Sequence, residues 1–540
     1  MNLLGVLLRQ RLRRDRVQLV LWIAGTAGLA LMATTAVNST FGDLAERENI
    51  LRLTMVAPAI LMFRGTPNGA EQGPFEFFLI FAFLALLAGL MSTFLAVRHT
   101  RGDEEAGRAE LVAATPASRM LPTTATVIHG VLANAMLGIA IALAFLVSGL
   151  DVRGSLVAGA AVAACGVAFL AIGLVFAQLF RTSRAANGAG VAAVIAAYFV
   201  RGIGDAAGEP SDDGLHRTPL WISWLSPIGW GQRTGAFNDD DLVPLLLALG
   251  FAAVLVALVY VFQSARDSGA SVLPGLRGRD HAGAVLSGSL GLAWKLSIGA
   301  VLSWAAGAAV MGALATSLTP LVDQIGSDVP DVAIRLQQMA GADATLEEAL
   351  TTTFFSVIGI LASACALQLV MRARQEEAHG TAETVLATPV PRQRWLGEYG
   401  VVAFIGVVVV IAFAMLGAFA GAQSADDPAG MSQDAAQAAV AQLPAVLVFL
   451  GIGMLLFVLV PRVMIGAAWA VLTLGAFFGV FGELLGLPDW VHDLSPFAHS
   501  PVPIGDDVDW TGGVGMVAIG LAAIALSIVL MRRRELATGG

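Results

Sequence analysis

RGDEEAGRAELVAATPASR at 101–119 and RQEEAHGTAETVLATPVPR at 374–392 are two copies of one segment, aligned without a gap at an offset of 273 residues. Ten of the 19 positions are identical: Arg101/Arg374, Glu104/Glu377, Gly107/Gly380, Ala109/Ala382, Glu110/Glu383, Val112/Val385, Ala114/Ala387, Thr115/Thr388, Pro116/Pro389 and Arg119/Arg392. Agreement this dense in a polar segment marks an internal duplication. Two weaker echoes support it, Trp22 to Gly25 with Trp304 to Gly307 and WISWLSP (221–227) with WVHDLSP (490–496), at offsets that drift as loop lengths would.

Each copy lies between long apolar runs. The 540-residue chain is 57% hydrophobic and 13% charged, with a mean hydropathy of +0.77, against roughly 45–50% apolar and about 25% charged in soluble domains. A hydrocarbon core of roughly 30 Å takes about 20 residues of helix. Runs of that kind fall near 17–37, 75–97, 123–147, 155–180, 186–203 and 242–262, then near 299–317, 352–371, 399–420, 443–460, 463–481 and 512–531. The fold expected is an all-α membrane protein of about twelve transmembrane helices in two tandem six-helix halves. The runs 186–203 and 463–481, short or glycine-rich, are the two that a partly re-entrant segment would also fit.

Charge placement sets the topology. With both termini cytoplasmic, 23 of the 31 basic residues fall inside, from Arg9, Arg11, Arg13, Arg14 and Arg16 to Arg532, Arg533 and Arg534, as the positive-inside rule requires. Acid gathers on the other side at Asp212 and Asp213, Asp239 to Asp241, and Asp506, Asp507 and Asp509. An even number of spans per half makes the halves parallel repeats about an axis along the membrane normal. The divisions expected are an amphipathic interfacial helix at 1–16, a first half at 17–262, a cytoplasmic linker at 263–298, a second half at 299–531 and a tail at 532–540. Leu3, Leu4, Leu7, Leu8 and Leu12 among arginines suit an interfacial helix, or equally a positive anchor for the first span. No small-residue cleavage site ends that span, so it is expected to be retained. Lys295 is the single lysine, a sign of GC-rich coding in a high-GC bacterium.

Chemistry is sparse. Cys165 and Cys365 each sit in an apolar run, no G-x-x-x-x-G-K-[ST] loop occurs, and the seven histidines show no metal-ligand spacing. No catalytic group, metal or nucleic-acid partner is expected, and the chain is not expected to hydrolyse ATP. Polar groups within spans are costly and therefore functional candidates. His129 is a candidate for lining a cavity, and Glu76 and Arg201 lie near the outer ends of their spans, where they can pair or snorkel. Phe77, Phe78 and Phe81, with Phe354 and Phe355 in the matching span, are candidates to pave an apolar substrate pathway, although aromatics in spans serve more often in interior contacts.

The duplicated loop, an acidic pair followed by G-x-A-E, then ATP and a basic residue, resembles that of ABC-2 type permeases, the type V exporter-like fold. It is most similar to the fused actinobacterial permeases of polyketide (tetronasin-like) antibiotic exporters. The resemblance implies a multi-pass plasma-membrane exporter subunit for hydrophobic or amphiphilic compounds such as antibiotics, drugs or lipids. It also implies two nucleotide-binding ATPase subunits holding ATP and Mg, and loops that act as coupling helices. The coupling residues would be Arg101, Glu104, Gly107, Glu110 and Pro116 with Arg374, Glu377, Gly380, Glu383 and Pro389, the four glutamates facing the partner. Glu104, Gly107 and Glu110, three apart, would share one face of a short helix ended by Pro116. Two rivals stand beside this reading. A gradient-driven secondary transporter should carry carboxylates in mid-span, where Asp and Glu are nearly absent. A membrane scaffold would recruit a cytoplasmic partner without transport.

Overall fold

In lipid every backbone donor and acceptor must be bonded within its own segment, so apolar runs of this length become helices. The computed structural model describes residues 3–55, 58–211, 215–266, 269–273, 283, 287–317, 346–423, 427–481, 488–501, 503–504, 507–508 and 510–536, and about 81% of these described residues are helical. Asp212, Asp213, Asp506 and Asp509, much of the 263–298 linker and the ends of the chain lie outside those residues. Among the described residues, eleven helical stretches are long and apolar enough to cross a membrane. The chain divides into two compact units, 1–277 and 278–540.

In the first unit the helices are α1 (Leu3–Thr40), α2 (Leu44–Met55), α3 (Pro58–Arg64), α4 (Gln72–Arg98), α5 (Arg101–Glu105), α6 (Arg108–Ala113), α7 (Leu121–Val147), α8 (Val152–Leu179), α9 (Ser183–Ala206), α10 (Pro227–Gln232) and α11 (Val243–Ala265). α8 is central, touching α4, α7, α9, α10 and α11, while α1 lies on α7 and α4. Asp151 and Thr182 cap α8 and α9 by accepting from Gly154 N and Ala185 N. α1 is one 38-residue helix, roughly 57 Å long, so the expected 1–16 segment, from Leu3 on, runs without a break into the first span. Its buried side runs Arg11, Asp15, Leu19, Thr26, Ala30 and Thr34, a stripe at helical spacing that gives one continuous helix one continuous contact face. The 186–203 run belongs to α9, long enough to cross without re-entry.

The second unit holds α12 (Ser289–Ser317), α13 (Leu346–Ala378), α14 (Thr381–Leu386), α15 (Arg392–Ala422), α16 (Pro428–Ala441), α17 (Leu443–Leu459), α18 (Met464–Phe481) and α19 (Thr511–Leu530). α12 lies along α15, α13 along α17, and α17 along α19. These repeat the α1–α7, α4–α8 and α8–α11 neighbours of the first unit. α16 and α17 together make one spanning stretch, Pro428–Leu459, whereas α18, 18 residues or about 27 Å, stands alone as a shorter apolar helix, so eleven stretches reach full spanning length among the described residues. Side chains such as Leu246, Val254 and Val514 project from the outer faces at 66–68% exposure, as lipid-facing residues do.

Candidate functional site

The repeated loop is a break at a glycine ahead of a short helix, not one helical face. α5 ends at Glu105, Gly107 takes φ +69° and α6 begins at Arg108. In the second unit α13 runs to Ala378, Gly380 takes φ +75° and α14 begins at Thr381. A Cβ at either glycine would meet nothing within 4 Å, so the left-handed backbone, not space, requires glycine there. Gly107→Ala and Gly380→Ala should each cost about 1–2 kcal/mol, read as a lower unfolding temperature of the purified chain, with little change in expression.

The break separates two kinds of residue. Arg101 is 1% exposed; its guanidinium donates to the Ala177 and Ala270 carbonyls at 3.0 Å and to Glu104 at 2.6 Å. Glu104 is held from its other side by Arg266 at 2.6 Å, a residue just past the end of α11 that also donates to Gln178 Oε1 at 2.6 Å. The second unit repeats the arrangement. Glu377, with no exposed side-chain surface, accepts from Arg374 at 3.2 Å and from Arg534 at 2.9 Å, and Arg534 follows α19 and stacks 4.4 Å from the Phe457 ring. Each copy is therefore pinned to the end of its unit's last spanning helix by an Arg–Glu–Arg triad. Glu104 and Glu377 turn inward because burying arginine without a carboxylate is far costlier than leaving a glutamate wet. Beyond the glycine, Glu110, Pro116, Glu383 and Pro389 are exposed, as is Leu111 at 72%. The expectation that four glutamates share the outer face is thus corrected to Glu110 and Glu383.

The first copy has further ties. Glu105, replaced by Ala378 in the second copy, accepts from Ser183 N at 2.8 Å at the start of α9. Asp15 on α1 accepts from His129 Nε2 at 3.0 Å and meets His99 Nε2 at the same oxygen, with Arg98 Nε 3.4 Å from its other oxygen. Asp103 is held by Arg14 and Arg108 at 2.8 Å each. His129 is fully buried in this strut between α1, α4 and α7 and is not a passage wall. The donor atoms of Asp15, His99 and His129 lie within 4.8 Å of one another, a grouping that suits a metal ion. Both imidazoles converge on one carboxylate oxygen with arginines around it, which makes the cluster an ion-pair network.

The aromatic candidates divide. Phe77, Phe78 and Phe81 line a cavity of about 290 Å³ at the end of α4 away from the loop, with the Phe77 and Phe81 rings 4.6 Å apart. Phe355 is fully buried in the core of the second unit and Phe354 packs against that core. Arg201 pairs with Asp205 at 3.1 Å, while Glu76 accepts from Gln72 at 3.0 Å, so those two expected partners go separate ways. An arginine four residues before an aspartate on one helix is the nearer match.

Eleven apolar spanning helices and polar loops anchored at their ends define a multi-pass membrane protein of the bacterial plasma membrane. The chain belongs to the family described as "Multidrug efflux system permease Rv1217c, C-terminal domain", which matches residues 8–262 and 286–532, one stretch in each compact unit. It is 33% identical over 534 residues to the multidrug efflux system permease protein Rv1217c of Mycobacterium tuberculosis, an alignment covering 98% of this chain and 94% of that one.

Proposed function

We propose that this chain is the membrane-spanning permease of an ATP-driven exporter of the ABC-2 type, moving hydrophobic or amphiphilic compounds, drugs among them, out of the cell. ATP and Mg are bound by two copies of a separate nucleotide-binding subunit, one on each copy of the repeated loop. In this reading the shorter α18 also crosses, as the twelfth span of two six-helix halves with both termini cytoplasmic, and the loops then lie on the side where ATP is. The relative's name as a multidrug efflux permease supports the cargo class.

The observation that carries the reading is that each loop has the same two parts, a buried triad and an exposed tip. The tips bearing Glu110 and Glu383 are open to a partner. The triads tie each tip to two spanning helices, so a push on the tip is transmitted into the membrane. Co-expression with nucleotide-binding subunits of the same genome tests it. The double change Glu110→Arg, Glu383→Arg should abolish complex formation and the ATPase activity that accompanies it, with membrane insertion unaltered. Unchanged assembly and activity would sink the loop assignment and reopen gradient-driven transport.

A further inference from the structure

The cavity at the far end of α4 is lined by three arginines, and the carboxylates near them are already engaged. Arg64 ends α3, is exposed, and among the described residues has no hydrogen-bond or ion-pair partner. Arg233, just after α10, stacks 4.3 Å from the Trp224 ring and donates one Nη to the Pro219 carbonyl at 3.3 Å, leaving its buried Nε unpartnered. Arg217 spends its guanidinium on the carbonyls of Asp205, Met55, Ala206 and Gly208, which fixes the wall. Of the two lining aspartates, Asp239 accepts from Asn68 at 3.1 Å and Asp241 caps the backbone N–H of Val243 at 2.9 Å. Neither makes an ion pair with these arginines among the described residues. Burial presses the Arg217 and Arg233 guanidiniums below the ordinary arginine value, with Asp205 opposing the effect; both remain charged. Phe77, Phe78 and Phe81, largely buried, contribute apolar surface to the same lining.

We propose that this cavity binds an anionic amphiphile, its carboxylate or phosphate head on Arg64 and Arg233 and its apolar part along Phe77, Phe78 and Phe81. Unpaired guanidinium donors recognise oxyanions by charge-assisted hydrogen bonds, and the aromatic part of the lining favours an amphiphile over a bare inorganic ion. About 290 Å³ lies at the lower edge of ligand pockets, roughly 300–1,000 Å³, so the head and a short apolar stretch fit and the remainder leaves by the open mouth. The site is built within the first unit and does not depend on how transport is driven.

The test uses the full-length chain in an uncharged detergent with the fluorescent probe 11-(dansylamino)undecanoate. Saturable enhancement is expected, weakening as salt rises and displaced by decanoate but not by decanol or decyltrimethylammonium. Dihexanoylphosphatidylglycerol separates the two sources: displacement by it identifies a lipid head as a ligand, and displacement by decanoate alone identifies a free amphiphilic carboxylate. Arg64→Gln with Arg233→Gln should weaken probe binding at least about tenfold, and Arg64→Lys should retain part of the affinity. Arg64→Gln alone, at an open position, is the variant to read if the double change unfolds, with a loss of about threefold or more expected. Unchanged affinity in a folded Arg64→Gln chain, or equal displacement by decanol, would overturn the proposal.

Discussion

Glu377→Gln will destabilise the folded chain by about 3–5 kcal/mol, because it removes the carboxylate that two buried guanidiniums share. The full figure for a buried pair applies, since the side chains of Glu377, Arg374 and Arg534 are 0%, 4% and 8% exposed. Glu104→Gln should cost less, its side chain being 18% exposed and better screened. Glu383→Gln and Glu110→Gln, out on the tips, should stay within about 0.5 kcal/mol of the parent. Thermal unfolding of the purified chain, followed by its tryptophans, ranks the four. Glu377→Gln as stable as Glu383→Gln would show that the triad does not hold the loop.

The same pair of glutamates shows where the sequence was readable. Duplication made the loops legible, because identity at ten of 19 positions needs no structure to interpret. Spacing of three then placed Glu104 and Glu110 on one face, and that step failed because the intervening Gly107 takes φ +69° and turns the chain between them. The second halves of the triads were hidden for a different reason: Arg266 and Arg534 lie 162 and 157 residues from their glutamates. Their signal was positional, an arginine immediately after the last long apolar run of each half. The strut of Asp15, His99 and His129 had no such signal, since at the offset of the repeat Arg372 and Val402 stand where the two histidines would be. The long apolar runs were legible except at 463–481, which forms a shorter helix among the described residues, since hydropathy decides burial in lipid. The unbroken α1 was not, since its arginine-rich start reads as an interface while its contact stripe carries on through Asp15. The arginine cavity was half visible: Phe77, Phe78 and Phe81 were singled out, but Arg64, Arg217 and Arg233 are brought to them only by the tertiary fold.

Gly417→Leu should prevent the second unit from forming. A Cβ at Gly417 would lie 1.9 Å from the Ala309 carbonyl oxygen, and one at Gly312 would lie 2.0 Å from that of Ala414, so α12 and α15 touch backbone to backbone. Carbonyls cannot rotate aside as a flexible side chain does, so the helices must separate. Close van der Waals approach is what holds helices together where lipid removes the hydrophobic drive. An alanine at either position should cost about 1–3 kcal/mol as overpacking, and leucine more, seen as loss of a monodisperse peak after extraction. Gly307→Ala, on α12 with nothing within 4 Å of its Cβ, is the control and should be neutral or stabilising by up to about 1 kcal/mol through helix propensity. The sharper reading comes from combining Gly312→Ala with Gly417→Ala. Both force apart the same two helices, so once one has done so the other finds room, and the double change should cost less than the sum. Strict additivity would mean that the two glycines act independently and that the shared close approach is not what they provide.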